Sequence, residues 1–368
     1  MIEKPRLKTF LTVFPITETV WGVRGGPEEL WRLRLDEVAV QAFCALLPYL
    51  NGQHKRNEIV EKIGTGGEDG APALKILDCL ETSGLIEDAE PHGLSGEELS
   101  HFADQLAFFS RFTCEGGSKY QSRLRASKVT VLSSGDLGHT VARQLGESGV
   151  GEVVLVWYRT PEAGRNGHSS VEGNPKEFSR LTAMAAPDGS PWPEDAEPLP
   201  NAFVFAEQAH SPAALEAMDA FSKRHRIPWL LVRSTDVHEG SVGPLFIPGE
   251  TASYVSFEAR LRSNMANHYE YAAFDRYVRS AEAATASAGG LRAGFELLAS
   301  IAVVETVKFL TGIVPPRLAG RLLSFNIIDW ESELHEVLRL PRLETPYGAE
   351  HQAFPWKEVS FAVQERRA

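Results

Sequence analysis

Apolar and polar positions change rhythm along the chain. Over residues 1–90 the apolar stretches are short: Phe10–Ile16, Thr19–Val23 and, after an RGGP turn, Leu30–Leu35. Their lengths and the turn predict three strands in a meander. The third, LWRLRL, alternates apolar and basic residues, as a strand with one solvated face does. The rhythm then becomes helical. Asp36 stands as an N-cap before VAVQAFCALLPYL, RNEIVEKIG follows a loop through Asn51 and Gly52, and Pro72 opens PALKILDCLETSG. Leu74, Leu77 and Leu80 share one face of that third helix, Gly84 stops it, and LIED reads as a short return strand. Residues 90–97 turn to Pro, Gly, Ser and acidic residues, a linker, and EELSHFADQLAFFSRF reads as one amphipathic helix.

From Lys128 the pattern is different. In KVTVLSSGDLGHTVARQLGESGVGEVVLVWY, Val129–Leu132 and Val153–Val156 are continuous apolar runs of strands buried on both faces. A turn and a helical stretch separate them, which makes a βαβ unit. Thr160 to Pro200 is rich in Gly, Pro, Ser and acids and predicts a short helix around Lys176–Met184 within long surface loops. Asn201–Glu207 is a third core strand, Pro212–His225 a helix and Trp229–Arg233 a fourth strand. This alternation predicts an α/β class with a largely parallel sheet. GFELLASIAVVETVKFLTG, Gly294–Gly312, is a helix apolar on all sides of its middle. It needs burial, either in the core under the sheet or in a subunit contact.

Composition narrows the function classes. A chain of 368 residues with 43% hydrophobic and 23% charged residues can build two or more domains with cores of their own. The formal net charge of -12 argues against a nucleic-acid partner, because such proteins carry a basic stripe. Cys44, Cys79 and Cys114 show no C-x-x-C spacing, so neither a zinc knuckle nor a disulfide framework is expected, and a cytoplasmic location is. MIEKPRLKTF lacks a signal core. The longest apolar stretch, Ala293–Ile313, contains Glu296, Glu305 and Lys308, so no membrane span is expected. His139, His210, His225, His238, His268 and His335 have no metal-binding spacing.

The βαβ unit has the outline of a nucleotide site with groups missing. A dinucleotide or ATP site makes its tight turn with the first glycine of G-x-G-x-x-G and holds the ribose with an acid after the second strand. Here Ser133 stands at the first glycine position, Gly135 and Gly138 remain, and Trp157 and Tyr158 take the place of the acid. Serine adopts φ > 0 poorly and an indole would fill the ribose cleft, so the expectation is a Rossmann-like scaffold with a degenerate nucleotide site and no cofactor. An intact site is the competing reading.

Three strands followed by three helices make a winged helix-turn-helix. Such modules often read DNA, but the third helix offers only Lys75 against Asp78 and Glu81. The other use is β-augmentation, in which an extended peptide adds to an open strand edge. The expected peptide site is then the third strand, Leu30, Trp31, Arg32, Leu33, Arg34 and Leu35, with Leu74, Leu77 and Asp78 closing the groove. Arg32 and Arg34 either meet an acidic peptide or are simply solvated.

KVTVLSSGDLGHTVARQLGESGVGEVVLV, VGPLFIPGETASYVSFEARLRSN and LHEVLRLPRLETPYG together resemble the ubiquitin-activating-like (ThiF-like) fold. The branch resembled is the one preceded by a peptide-binding winged helix, the RiPP recognition element. These are the leader-peptide-binding partners of YcaO-type cyclodehydratases, which make azole and azoline peptides such as thiopeptides and bacteriocins. The resemblance implies a leader-binding module over 1–90, a linker and connecting helix over 91–127, a ThiF-like pseudo-adenylating domain over 128–345 and a tail over 346–368. It also implies a precursor peptide and a YcaO-type enzyme as partners, and association as a homodimer. Zinc-bearing relatives carry two Cys-x-x-Cys pairs where this chain has Ser253 and Ser256, then Leu343 and Pro346, so no metal is expected. Adenylating members keep a further aspartate after the strand that here reads FVFAEQ, where Glu207 and Gln208 stand. The implied function is a non-catalytic partner presenting a precursor peptide. The rivals are an ATP-dependent adenylating enzyme, for which Cys114 stays open as a nucleophile, and a ligand-sensing transcription factor.

Overall fold

The computed structural model describes residues 2–64, 70–158, 178–185, 198–280, 289–341 and 343. The chain divides into two compact units, Met1–Arg123 and Leu124–Ala368. The first runs β1 (Pro5–Leu7), β2 (Thr12–Pro15), β3 (Val20–Arg24), β4 (Leu30–Arg34), α1 (Glu37–Leu46), α2 (Arg56–Gly64), α3 (Ala71–Thr82), β5 (Ile86–Asp88), α4 (Gly96–His101), α5 (Ala103–Ser110) and α6 (Gly117–Arg125).

Strands β2, β3 and β4 form the antiparallel meander, while the LIED segment supplies β5 and pairs with β1. Asp36 caps α1 by accepting from the Ala39 N–H at 2.8 Å. Val23, Phe43, Leu46, Ile59, Leu77, Leu80, Leu85 and Ile86 make the core, and Trp31, Leu33 and Leu35 pack on it from β4. Each fully buried large side chain contributes roughly 1.5–3 kcal/mol. Glu87 is buried there as well, and its carboxylate accepts from Arg6 at 2.7 Å and from the Ser110 hydroxyl. The single helix expected over EELSHFADQLAFFSRF is two. Ser95 and Glu98 cap α4 reciprocally, and the break falls at Phe102, whose ψ of 17° departs from the helix.

The second unit runs β6 (Lys128–Ser133), α7 (Asp136–Glu147), β7 (Glu152–Trp157), β8 (Arg180–Ala185), β9 (Ala202–Glu207), α8 (Pro212–His225), β10 (Trp229–Ser234), β11 (Glu239–Phe246), α9 (Tyr254–Asn264), α10 (His268–Arg279), α11 (Arg292–Thr311), β12 (Arg321–Asn326) and β13 (Glu331–Glu336). Its sheet has the order β13-β12-β11-β10-β9-β6-β7-β8. Strands β8, β7, β6, β9 and β10 run parallel, as expected of a mainly parallel sheet, and β11 to β13 extend it with antiparallel pairing. The helix expected around Lys176–Met184 is replaced, over its described part, by β8, which pairs in parallel with β7. The open edge of β7 offers a ladder that outweighs the helix preference of Leu, Ala and Met.

Leu132, Phe203, Phe205, Trp229 and Leu231 of the sheet pack with Leu215, Met218 and Phe221 of α8 and with Tyr254 and Phe257 of α9. Helix α11 packs on α7, β10 and β11, so its apolar surface is used inside its own unit. Arg143 and Gln144 of α7 reach Glu296 of α11 at 2.6 and 2.8 Å. Glu305 is buried on α11 but satisfied, accepting from Lys308 at 2.5 Å and from the Leu318 N–H at 2.8 Å. Among the described residues no helix is long and apolar enough to cross a membrane.

On α3, Leu77 is 0% exposed and Leu74 is 42% exposed. Leu77→Ala should therefore cost about 2–5 kcal/mol, and Leu74→Ala no more than about 0.5 kcal/mol, in urea denaturation followed by circular dichroism.

Candidate functional site

The crevice at the carboxyl ends of β6, β7, β9 and β10 is where open α/β sheets bind ligands. Its geometry begins at Ser133, the last residue of β6. Ser133 lies in extended strand backbone and is not among the positive-φ residues, so the strain expected of a serine there does not arise. Its hydroxyl accepts from the Gly135 N–H at 3.1 Å and donates to the Gly135 carbonyl at 2.7 Å, closing the turn on itself. The remaining glycines are explained by close approach. A Cβ on Gly138 would collide with the Ser133 side chain, and one on Gly135 with Oε1 of Gln208.

Gln208 occupies the mouth of α7. Its Oε1 accepts from the Leu137 N–H at 2.7 Å, and its own N–H donates to Ser134 Oγ at 3.2 Å. Leu137 is the second residue of the helix, so its amide is one of the donors that phosphate takes at such a terminus. Trp157 stands in register with Ser133 at the end of β7 and is half-buried. The side chain at the mouth of the helix is thus Gln208.

The neighbouring Glu207 is committed as well. It pairs in register with Arg233 across β9 and β10, with Arg233 Nε 2.6 Å from Glu207 Oε2. Glu207 Oε1 accepts from the Ser211 N–H at 2.9 Å and has His210 Nδ1 at 3.7 Å. His210 stacks on Phe274 and puts Nε2 3.5 Å from Asp275 Oδ1, within ion-pair range but without hydrogen-bond alignment. Asp275 is held at 3.0 Å by both Arg262 and Arg279, and Glu258 accepts from Arg262 at 2.9 Å and from the Tyr271 hydroxyl at 3.0 Å. One ionic network thereby ties the strand ends to α9 and α10.

Burial alone would push the Glu207 and Asp275 carboxyls up. Arg233, His210 and the Ser211 N–H overcome it at Glu207, as Arg279 and Arg262 do at Asp275, so both lie below the ordinary carboxylate range. Burial pushes the Tyr254 and Tyr271 phenols up. Sequence reading set His210 aside for want of a metal-binding spacing and gave Arg233 and Asp275 no role; the three lie on different elements and meet only in the fold.

In the crevice the Glu207 carboxylate and the Leu137 amide are both engaged internally. The zinc positions offer no soft donors. Ser253 caps α9 by accepting from the Ser256 N–H at 3.4 Å, and Ser256 Oγ accepts from the Leu340 N–H at 3.2 Å. Arg339 donates to the Thr251 carbonyl at 3.1 Å and Arg260 to the Arg339 carbonyl at 3.2 Å. Hydrogen bonds hold together the two segments that a zinc ion would bridge. Leu343 is 43% exposed, and Pro346 lies outside the described residues.

In the first unit, β4 pairs with β3 and has no partner among the described residues on its other side. The flanking bonds, Leu35 N–H to Thr19 carbonyl at 2.9 Å and Gly25 N–H to Glu29 carbonyl at 3.1 Å, set the parity of the ladder. Trp31 and Leu33 bond inward to β3, so Leu30, Arg32 and Arg34 turn their main-chain groups to the open side. The side chains of those three are exposed, while Trp31, Leu33 and Leu35 pack on the core. Leu74 is exposed as a groove residue must be. Leu77 is core, and Asp78 is bound to the Arg56 guanidinium, which also pairs with Glu81 at 2.7 Å. Leu77 is therefore not available to line a groove, whereas Asp78 keeps its side chain 61% exposed beside Arg56.

No family model matches the sequence, and no curated protein is similar to it in sequence. Solved structures are similar. The chain matches E. coli MccB with MccA-N7isoASN at a TM-score of 0.59 and 14% identity, over 92% of this chain and 97% of that one. It matches the microcin C7 biosynthetic enzyme MccB in complex with N-formylated MccA at 0.58 and 13%, over 92% and 98%. The fold is shared with MccB. The heterocyclase TruD matches at 0.63 and 21% identity, over 92% of this chain and 42% of TruD. At these identities the likeness is one of fold.

Carboxyls held low in the fold stabilise it fully above their unfolded value of about 4.3 and lose that effect as pH falls through the lower folded value. The melting temperature should accordingly drop below about pH 4.5. Glu207→Gln, which leaves Arg233 buried without its counter-charge, should cost about 3–5 kcal/mol at pH 7 and flatten that acid limb. Melting curves from pH 3 to 7 on both proteins check this.

Proposed function

We propose that the chain is a non-catalytic peptide-presenting protein. Its first unit, a winged helix module, takes the leader of a ribosomally made precursor as an added strand along β4. Its second unit is a docking body for a separate YcaO-type cyclodehydratase, which converts Cys, Ser or Thr side chains of the core peptide into azolines. The observation that carries this reading is the open edge of β4. Main-chain groups of Leu30, Arg32 and Arg34 face outward there, with two guanidinium groups beside them to meet acidic residues of the incoming strand. Capture by a leader raises the effective concentration of the attached core, so weak recognition of the core suffices.

The crevice supports the non-catalytic half of the proposal. A nucleotide would have to displace Gln208 from α7 and Glu207 from Arg233 before binding Mg²⁺ or phosphate. The shared fold supports the setting, since MccB has been seen with MccA and TruD is a heterocyclase. The rival is an adenylating enzyme of the same fold, because MccB has also been seen with ATP.

Two measurements separate these readings. A fluorescein-labelled leader, taken from a precursor gene neighbouring this one, should bind at micromolar protein in fluorescence anisotropy. Arg32→Pro removes an outward N–H and leaves the β3–β4 ladder intact, so it should weaken binding at least about tenfold without changing the melting temperature. Equal binding by the variant sinks the β4 site. Millimolar Mg-ATP should leave the melting temperature unchanged, since a ligand bound only by the folded state raises it. A rise of several degrees favours the adenylating enzyme.

A further inference from the structure

At the antiparallel end of the second unit's sheet, beside α9, lies a cavity of about 310 Å³ lined by Arg233, Ser241, Phe257, Leu261, Ser324 and Glu333. Strand register puts four of these in one transverse row: Arg233 stands opposite Ser241, Ser241 opposite Ser324, and Ser324 opposite Glu333. A second row, two residues along, runs Glu239, Asn326 and Glu331, and these line the cavity too. Phe257 and Leu261, one turn apart on α9, give the apolar wall. The inner end is Arg233, 7% exposed, stacked over Phe257 and with no hydrogen-bond partner for Nη2. The outer end is β13, an exposed strand at the edge of the sheet.

We infer that this cavity binds an extended peptide segment carrying a basic side chain. A main-chain carbonyl of the peptide accepts from Arg233 Nη2, and the ammonium or guanidinium group sits against Glu239, Glu331 and Glu333. An anionic ligand is disfavoured twice, because Glu207 already offsets the charge of Arg233 and three carboxylates, those of Glu239, Glu331 and Glu333, line the cavity. A compact cation is too short. Three strand intervals separate Arg233 from Glu333, about 14 Å, the length of roughly four extended residues. The site is independent of β4, so either can fail without the other.

The test uses the full chain and two fluorescein-labelled, amidated pentapeptides, Ala-Lys-Ala-Lys-Ala and Ala-Glu-Ala-Glu-Ala, in fluorescence anisotropy. The lysine peptide should bind at least about tenfold more tightly than the glutamate peptide, with an affinity that falls as salt rises. The double variant Glu331→Gln/Glu333→Gln changes two exposed residues and should weaken the lysine peptide about tenfold. Leu261→Trp should fill the cavity and abolish binding, while Arg32→Pro should leave it unchanged. The inference is overturned if the lysine peptide does not bind at millimolar protein, if both peptides bind alike, or if the double variant binds as the parent does. Retention by Leu261→Trp would also overturn it, since the ligand would then sit outside the cavity.

Discussion

The ion pair between Glu207 and Arg233 is the constraint on which the crevice depends. Two opposite charges sit side by side on neighbouring parallel strands, both nearly excluded from water. Such burial is tolerable only where each charge is answered, and the answer has to come from beyond the sheet. His210 and the Ser211 N–H close on the carboxylate, and the chain of contacts through Asp275 and Glu258 draws α9 and α10 over the strand ends. With Glu207 fixed toward Arg233, the next residue leaves the strand toward α7, and Gln208 meets the Leu137 amide. One dipeptide therefore engages both kinds of group that a nucleotide needs, a metal-binding carboxylate and a helix-terminal donor.

The same view changes what the residual glycine pattern means. In a phosphate loop, glycines let a ligand approach the backbone. Here the approach is made by the protein's own side chains, Ser133 beneath Gly138 and Gln208 against Gly135. A Cβ at either glycine would overlap those side chains. A glycine signature in sequence thus testifies to a close contact without saying whether the contact is a ligand.

The parts of the fold that could be read in sequence are those whose burial is complete. Strands β9 and β10 are buried at every position and appear as unbroken apolar runs, and α8 begins at Pro212 and ends at His225, where proline and a basic last turn place its limits. Strand β13 was invisible because ESELHE is exposed throughout and has no apolar face to report. Strand β8 was misread because its pairing partner, not its composition, decides its state. On α3 the apolar face was correctly located, yet sequence cannot say whether such a face meets the core or a groove. Leu77 meets the core, and Asp78, a surface residue by type, is drawn to Arg56. The network around Glu207 was illegible for a plainer reason: Arg233 and Asp275 lie 26 and 68 residues further along the chain, and only strand register brings Glu207 to Arg233.

The three-stranded and the eight-stranded sheet each have one exposed, charged edge strand, and the two are opposite in sign. β4 exposes Leu30, Arg32 and Arg34, whereas β13 exposes Glu331, Glu333 and Glu336. Natural sheets usually blunt their edges with charge of whichever sign, because an open ladder invites pairing with another chain. Charge of one sign on each edge does more than blunt, since it repels like-charged strands and leaves the ladder open to a strand of opposite sign. Main-chain pairing supplies attraction that is indifferent to sequence, so discrimination in such a protein has to reside in the side chains flanking each edge, Arg32 and Arg34 on one and Glu331 and Glu333 on the other.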